Sequence, residues 1–133
     1  MKSPKGRILC TEDHADTREL IIAVLKAAGF DVLCAEDAQE TLKLAKSGTF
    51  DLYLLDNWLP DITGPKLTVQ IREFDTETPI LFYSGAAYEA DKENARSAGA
   101  QGYLVKPVEN EILVAEVIRL ISESEVAKPV RVV

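Results

Sequence analysis

Five side chains stand out for the chemistry they could share: the adjacent acids Glu12 and Asp13, the lone Asp56, the hydroxyl of Ser84 and the ammonium of Lys106. Each closes or follows a short apolar run. Asp56 does so most clearly, ending Leu52–Leu55 before the polar, Pro- and Gly-containing stretch N-W-L-P-D-I-T-G. Three carboxylates brought together repel one another unless protonated or neutralised, and a hard, partly hydrated cation such as Mg2+ is the usual remedy. A carboxylate left partly free can then act as a nucleophile, and on a phosphoryl group it forms an acyl phosphate. Lys106 can pair with one phosphoryl oxygen, and Ser84 can donate a hydrogen bond to another. Taken singly the residues are ordinary. An acid at a strand end commonly caps a helix, Ser84-Gly85 is a turn signal, and a lysine before proline is commonly a surface residue. Their recurrence after successive apolar runs is what gives them weight.

The elements that must position them are legible in the apolar pattern. Arg7–Thr11, Phe30–Ala35, Leu52–Leu55, Pro79–Tyr83 and Gly102–Val105 read as short strands. Ala15–Ala28, Ala38–Lys46, Gly64–Glu73, Tyr88–Ala98 and Glu109–Ile121 read as helices, with Gly29, Ser47-Gly48 and Gly99 as stops and Pro65 in a first turn. The helix at Tyr88–Ala98 has few apolar anchors and is expected to be lightly held. Five strands alternating with five helices predict an α/β domain, a parallel sheet covered on both faces. Continuously apolar strands fit that double burial. In such a sheet the carboxyl ends of the strands share one edge, the edge where ligands bind. Residues 1–6 read as an N-terminal extension, 7–122 as the domain and 123–133 as a tail or linker stub, frayed by default from Ser122 onward.

A chain of 133 residues accommodates one domain with a sizeable core. Its net charge of -7 argues against general affinity for nucleic-acid backbone, so direct DNA binding by this chain is not expected. The longest apolar stretch, Leu20–Leu25, is far short of the roughly twenty residues that cross a bilayer. Lys2, Lys5 and Arg7 precede too little apolar sequence for a signal peptide, which points to the cytoplasm. Cys10 and Cys34 belong to no metal-binding pattern and are expected to be reduced core thiols.

Four segments in order, I-L-C-T-E-D, D-L-Y-L-L-D-N-W-L-P-D-I-T-G, P-I-L-F-Y-S-G and G-Y-L-V-K-P, carry a resemblance. From about Arg7 to Ser122 the chain resembles the response-regulator receiver domains of two-component signalling, of the chemotaxis-regulator-like kind. The resemblance implies a doubly wound, flavodoxin-like sheet of order 2-1-3-4-5 with five helices. It implies Asp56 as the phosphoacceptor, with Mg2+ (Mn2+ as a substitute) held by Glu12, Asp13, Asp56 and the backbone carbonyl of Trp58. Ser84 becomes the hydroxyl that turns toward the phosphoryl group, Tyr103 the aromatic that swings inward behind it, and Lys106 the phosphoryl-pairing lysine, its bond to Pro107 typically cis. The implied input is a phosphohistidine on a sensor kinase or phosphotransfer protein. The implied output is a changed surface on the fourth helix, fifth strand and fifth helix, read by a partner the sequence does not identify. Such a module catalyses only its own phosphorylation and dephosphorylation, as a monomer or a phosphorylation-dependent dimer.

Departures from the family pattern bear on rate and output. Glu12 stands where Asp is also common, and Ser84 replaces the commoner Thr. Trp58 is large for its position and Ala86 offers no group to orient a hydrolytic water, so self-dephosphorylation is expected to be slow. Ala100-Gln101-Gly102-Tyr103 lacks the A-D-D-Y pattern of many DNA-binding regulators, so their dimer ion pairs are not expected. No effector domain follows the last helix, consistent with either a free-standing receiver or a piece of a longer protein. His14 is expected to be a solvated loop histidine rather than a ligand, and Asp61 a loop residue without a chemical role. A nucleophilic-aspartate phosphohydrolase resembles D-x-D-x-T, and Trp58 occupies the place of its acid/base Asp, which counts against turnover.

Overall fold

The computed structural model describes residues 5–127. Five strands and five helices alternate through them: β1 (Arg7–Thr11), α1 (Ala15–Ala27), β2 (Asp31–Ala35), α2 (Ala38–Ser47), β3 (Leu52–Leu55), α3 (Gly64–Arg72), β4 (Ile80–Ser84), α4 (Glu89–Ala98), β5 (Gly102–Val105) and α5 (Asn110–Ala127). All strand pairs are parallel, in the order β2-β1-β3-β4-β5. This is the doubly wound, flavodoxin-like sheet that the alternation and the resemblance predict. Alternate side chains of each inner strand serve opposite faces. Ile8, Cys10, Leu52, Leu54 and Leu81 pack against Ile21 and Leu25 of α1 and Leu113, Val117 and Leu120 of α5. On the other face Leu9, Tyr53, Leu55, Ile80 and Phe82 pack against α2, α3 and α4 through Ala38, Ala45, Leu67, Ile71 and Ala95. The inner strands have no polar face because both faces are core.

Local signals place the helix ends. Asp37 accepts a hydrogen bond from the Glu40 N–H at 2.8 Å and caps α2. Thr63 caps α3, and Pro65 sits in its first turn as expected. Gly29 and Gly99 take φ of +102° and +123° after α1 and α4, a backbone region that L side chains rarely adopt. Ala95 is the single buried residue of α4, in keeping with a lightly held helix. The last helix differs from expectation: it continues past Ile121 to Ala127. Ser122–Glu125 reads as polar tail sequence, yet Arg119 Nη1 donates to Glu123 Oε1 at 2.8 Å, an i,i+4 pair that carries the helix across the expected end. The rest of the tail expected to be frayed, 128–133, lies outside the described residues. Cys10 and Cys34 are free and face each other across β1 and β2. A hydrogen bond with Cys34 and burial both push the Cys10 thiol well above its ordinary range, so it is an inert core thiol as expected.

Candidate functional site

The carboxyl ends of β1, β3, β4 and β5 bring Glu12, Asp13, Asp56, Ser84 and Lys106 to one edge. Glu12 is 1% exposed and Asp56 7% exposed, and a buried carboxylate needs a partner. Lys106 supplies it to both. Its Nζ donates to Asp56 Oδ2 at 3.0 Å and, in a short contact, to Glu12 Oε1. Burial lowers the pKa of this ammonium, but the hydrogen bonds and charges of Glu12 and Asp56 outweigh it and hold Lys106 above its ordinary range. The Lys106–Pro107 peptide is cis, as the resemblance implies. The Lys106 N–H donates to the Ser84 carbonyl at 2.8 Å, which fixes the lysine's backbone against β4.

Ser84 is fully buried, and its Oγ accepts from the Ala86 N–H at 3.2 Å. Tyr103 reaches the same loop from β5: its hydroxyl donates to the Ala86 carbonyl at 2.7 Å, and its ring stacks on Phe82 with centroids 5.5 Å apart and planes 8° from parallel. Trp58 lies at the opposite rim. Its backbone N–H donates to Asp56 Oδ1 at 3.4 Å, while the residue is 62% exposed.

Other residues of the site lie outside the five strand-end groups. Arg18 Nη1 donates to the carbonyls of Glu12 (3.0 Å) and Asp13 (3.4 Å), and its Nη2 pairs with Glu36 at 3.3 Å, so the acidic turn is held from α1. Gly64 is required by contact: a Cβ there would lie 2.4 Å from the Asp56 carbonyl oxygen and 2.6 Å from Phe82 Cε2. The close approach lets its N–H donate to the Asn57 carbonyl at 2.7 Å. The glycine after D-I-T was visible in sequence as a turn signal, whereas Arg18 carried none. Asp61 does more than occupy a loop. Its carboxylate accepts from the N–H groups of Ala38 and Gln39, both at 3.0 Å, at the start of α2. Burial raises its pKa, but these backbone bonds prevail and hold it below the usual range. His14 is exposed as expected, yet its Nδ1 lies 3.2 Å from Asp13 Oδ1 and 3.3 Å from Glu12 Oε2.

The donor set fits a hard cation. Glu12 and Asp56 meet the Lys106 ammonium, Asp13 is left exposed at the rim beside Glu12, and the carboxylates of all three offer oxygen ligands. One ligand atom each of Glu12, Asp13 and His14 lie within 4.8 Å of one another, so the acidic turn presents clustered donors. Among the described residues no helix is long and apolar enough to cross a membrane.

Comparison with known proteins agrees with this geometry. DltR, a transcriptional regulatory protein of Streptococcus agalactiae serotype III (strain NEM316), is 36% identical over 111 residues, covering 84% of this chain and 50% of that protein. The chain therefore spans about half the length of that curated relative. Among solved structures, a CheY-like receiver domain protein from Methanospirillum hungatei JF-1 superposes with a TM-score of 0.88 at 26% identity, covering 92% of this chain and 98% of that one. The receiver domain of the sensor histidine kinase PA1611 from Pseudomonas aeruginosa PAO1, solved with a magnesium ion in its active-site cleft, matches at 29% identity and a TM-score of 0.82, over 88% of this chain and 98% of that one. The family model for the response regulator receiver domain matches residues 8–118, and with the sheet order and strand-end residues in place, the chain belongs to the response-regulator receiver domains of two-component systems.

Proposed function

We propose that Asp56 accepts a phosphoryl group from a phosphohistidine of a sensor kinase or phosphotransfer protein, and that this chain performs the chemistry only on itself. The observation that carries the reading is the Lys106 ammonium, 3.0 Å from Asp56 Oδ2 and also bound to Glu12, at the edge where Ser84 is buried. An Asp56 carboxylate oxygen attacks phosphorus, the P–N bond to the donor imidazole breaks, and the acyl phosphate remains on Asp56. Lys106 moves its hydrogen bond from the carboxylate to a phosphoryl oxygen, and the Ser84 hydroxyl donates to another. Glu12, Asp13, Asp56 and the Trp58 backbone carbonyl would hold Mg2+, or Mn2+ in its place, whose positive charge would offset the negative charge of the phosphoryl oxygens. The changed surface lies on α4, β5 and α5, read by a partner protein, with the chain a monomer or a phosphorylation-dependent dimer. With its net charge of -7 the receiver makes no direct contact with nucleic acid.

Phosphoramidate with Mg2+ should add one phosphoryl group to the wild type, seen by intact-mass spectrometry, and none to Asp56→Asn. The single Trp58 should change fluorescence with Mg2+ and again with beryllofluoride. Equal labelling of both proteins, with unmoved fluorescence, sinks the reading. Slow self-dephosphorylation follows from the bulk of Trp58 and the bare Ala86, so Trp58→Asn should lose its phosphoryl group several-fold faster, and equal lifetimes contradict this.

A further inference from the structure

Asn57 follows the acceptor directly and is 4% exposed, and a buried amide needs partners for its hydrogens. Its Nδ2 donates to the Tyr103 hydroxyl at 3.4 Å, the Tyr103 O–H donates to the Ala86 carbonyl at 2.7 Å, and the Ala86 N–H donates to Ser84 Oγ at 3.2 Å. The polarity of this chain is consistent throughout. A phenol has one hydrogen, directed at Ala86, so it meets Asn57 as an acceptor, and an amide NH2 can only donate. The Asn57 end is fixed, because its carbonyl accepts from Gly64 at 2.7 Å and Gly64 is pressed against Asp56 and Phe82. The Tyr103 ring is stacked on Phe82, so leaving its place costs the stacking contact and both hydrogen bonds.

We propose that Asn57 is a positioning residue: it tethers Tyr103 inward and, through Ala86, sets the Ser84 hydroxyl before any phosphoryl group arrives. The consequence for regulation rests on the phosphoacceptor reading, whereas the tether does not. A receiver held this way starts with more of its binding-competent arrangement populated, and a phosphoryl mimic binds more tightly in proportion.

The tether is tested first without ligand, by NMR of the side-chain amides. Tyr103→Phe removes the acceptor and should shift the Asn57 NH2 resonances while those of exposed Asn110 stay in place; unmoved Asn57 resonances overturn the tether. The regulatory step is tested by a double-mutant cycle in beryllofluoride affinity, read by Trp58 fluorescence. Asn57→Leu should weaken binding about threefold to tenfold. The same substitution in Tyr103→Phe should change it by less than about twofold. Equal losses in both backgrounds overturn the coupling, and Asn57→Ala runs the same cycle if leucine is not accommodated. If wild-type protein binds no beryllofluoride, the phosphoacceptor reading has failed, and the amide shifts still decide the tether.

Discussion

At the amino edge of the sheet, Arg72 donates from Nε and Nη2 to the Gly99 carbonyl (3.2 and 2.9 Å), from Nη1 to the carbonyls of Asp75 (3.0 Å) and Thr78 (2.8 Å), and from Nη2 to Gln101 Oε1 (2.9 Å). Beside it the Asp75 carboxylate accepts four hydrogen bonds: from the hydroxyls of Tyr53 (2.8 Å) and Thr78 (2.7 Å) and the N–H groups of Glu77 (3.1 Å) and Thr78 (3.0 Å). At the carboxyl edge, Glu12 and Asp56 share the one ammonium of Lys106, and the Asp13 carboxylate stands beside them without a bond to it. Both edges bury charge in the same fold, but the amino edge sets one guanidinium beside one carboxylate, whereas the carboxyl edge sets one ammonium against Glu12 and Asp56 with Asp13 nearby. A saturated polar network rigidifies, whereas an acidic cluster short of positive charge stores repulsion that a ligand can relieve. The difference sets a structural cluster apart from the edge proposed to be reactive, without reference to any relative.

The largest effect should come from breaking the saturated side. Arg72→Leu leaves the Asp75 and Thr78 carbonyls without their donor and takes the guanidinium from the Gly99 carbonyl and Gln101 Oε1, which keep only the bonds from Gln101 Nε2 and the Ile80 N–H. It should lower unfolding stability by about 3 kcal/mol in urea melts. Labelling of Asp56 by phosphoramidate should persist in the folded fraction. A loss under about 1 kcal/mol would mean that the network contributes little and the contrast between the edges is illusory.

Asp75 gives the next largest change, with a pH signature. Burial raises its pKa, but the bonds from Thr78, Tyr53 and Glu77 prevail and hold the carboxyl below its usual range. Its contribution is therefore complete above the unfolded pKa of about 4 and is lost as pH falls through the lower folded value. Asp75→Asn cannot accept all four bonds and should cost about 2 kcal/mol at neutral pH. That gap should narrow as pH falls below about 4. A gap constant from neutral to acid pH would show that the charge of Asp75 contributes nothing.

The two edges also differ in how far they could be read from sequence. Glu12, Asp13, Asp56, Ser84 and Lys106 were legible because apolar strands end abruptly at them, and strand periodicity carries side chains to a common edge. Arg72, Asp75, Thr78 and Gln101 come from the end of α3, the following loop and the approach to β5, with no spacing rule linking them. Asp61 was passed over because its partners, Ala38 and Gln39, lie more than twenty positions away in the chain. The extent of α5 was missed because Ser122–Ala127 has helix-compatible residues but few core contacts to mark a period.

The smallest effect is the most direct test of the carboxyl edge. Asp56→Asn removes one of three clustered carboxylates, while Glu12 keeps its bond to Lys106. If the cluster stores repulsion, the variant should be more stable than the wild type, by about 1 kcal/mol in urea melts with chelator present. Added Mg2+ should shrink the gap, because a cation that binds the folded wild type stabilises it by mass action and binds the variant less well. The opposite sign, a less stable Asp56→Asn in chelator, would mean that the Lys106 bond to Asp56 outweighs the repulsion. The carboxyl edge would then be as self-sufficient as the Arg72–Asp75 network, and charge imbalance would no longer distinguish the reactive edge from the structural one.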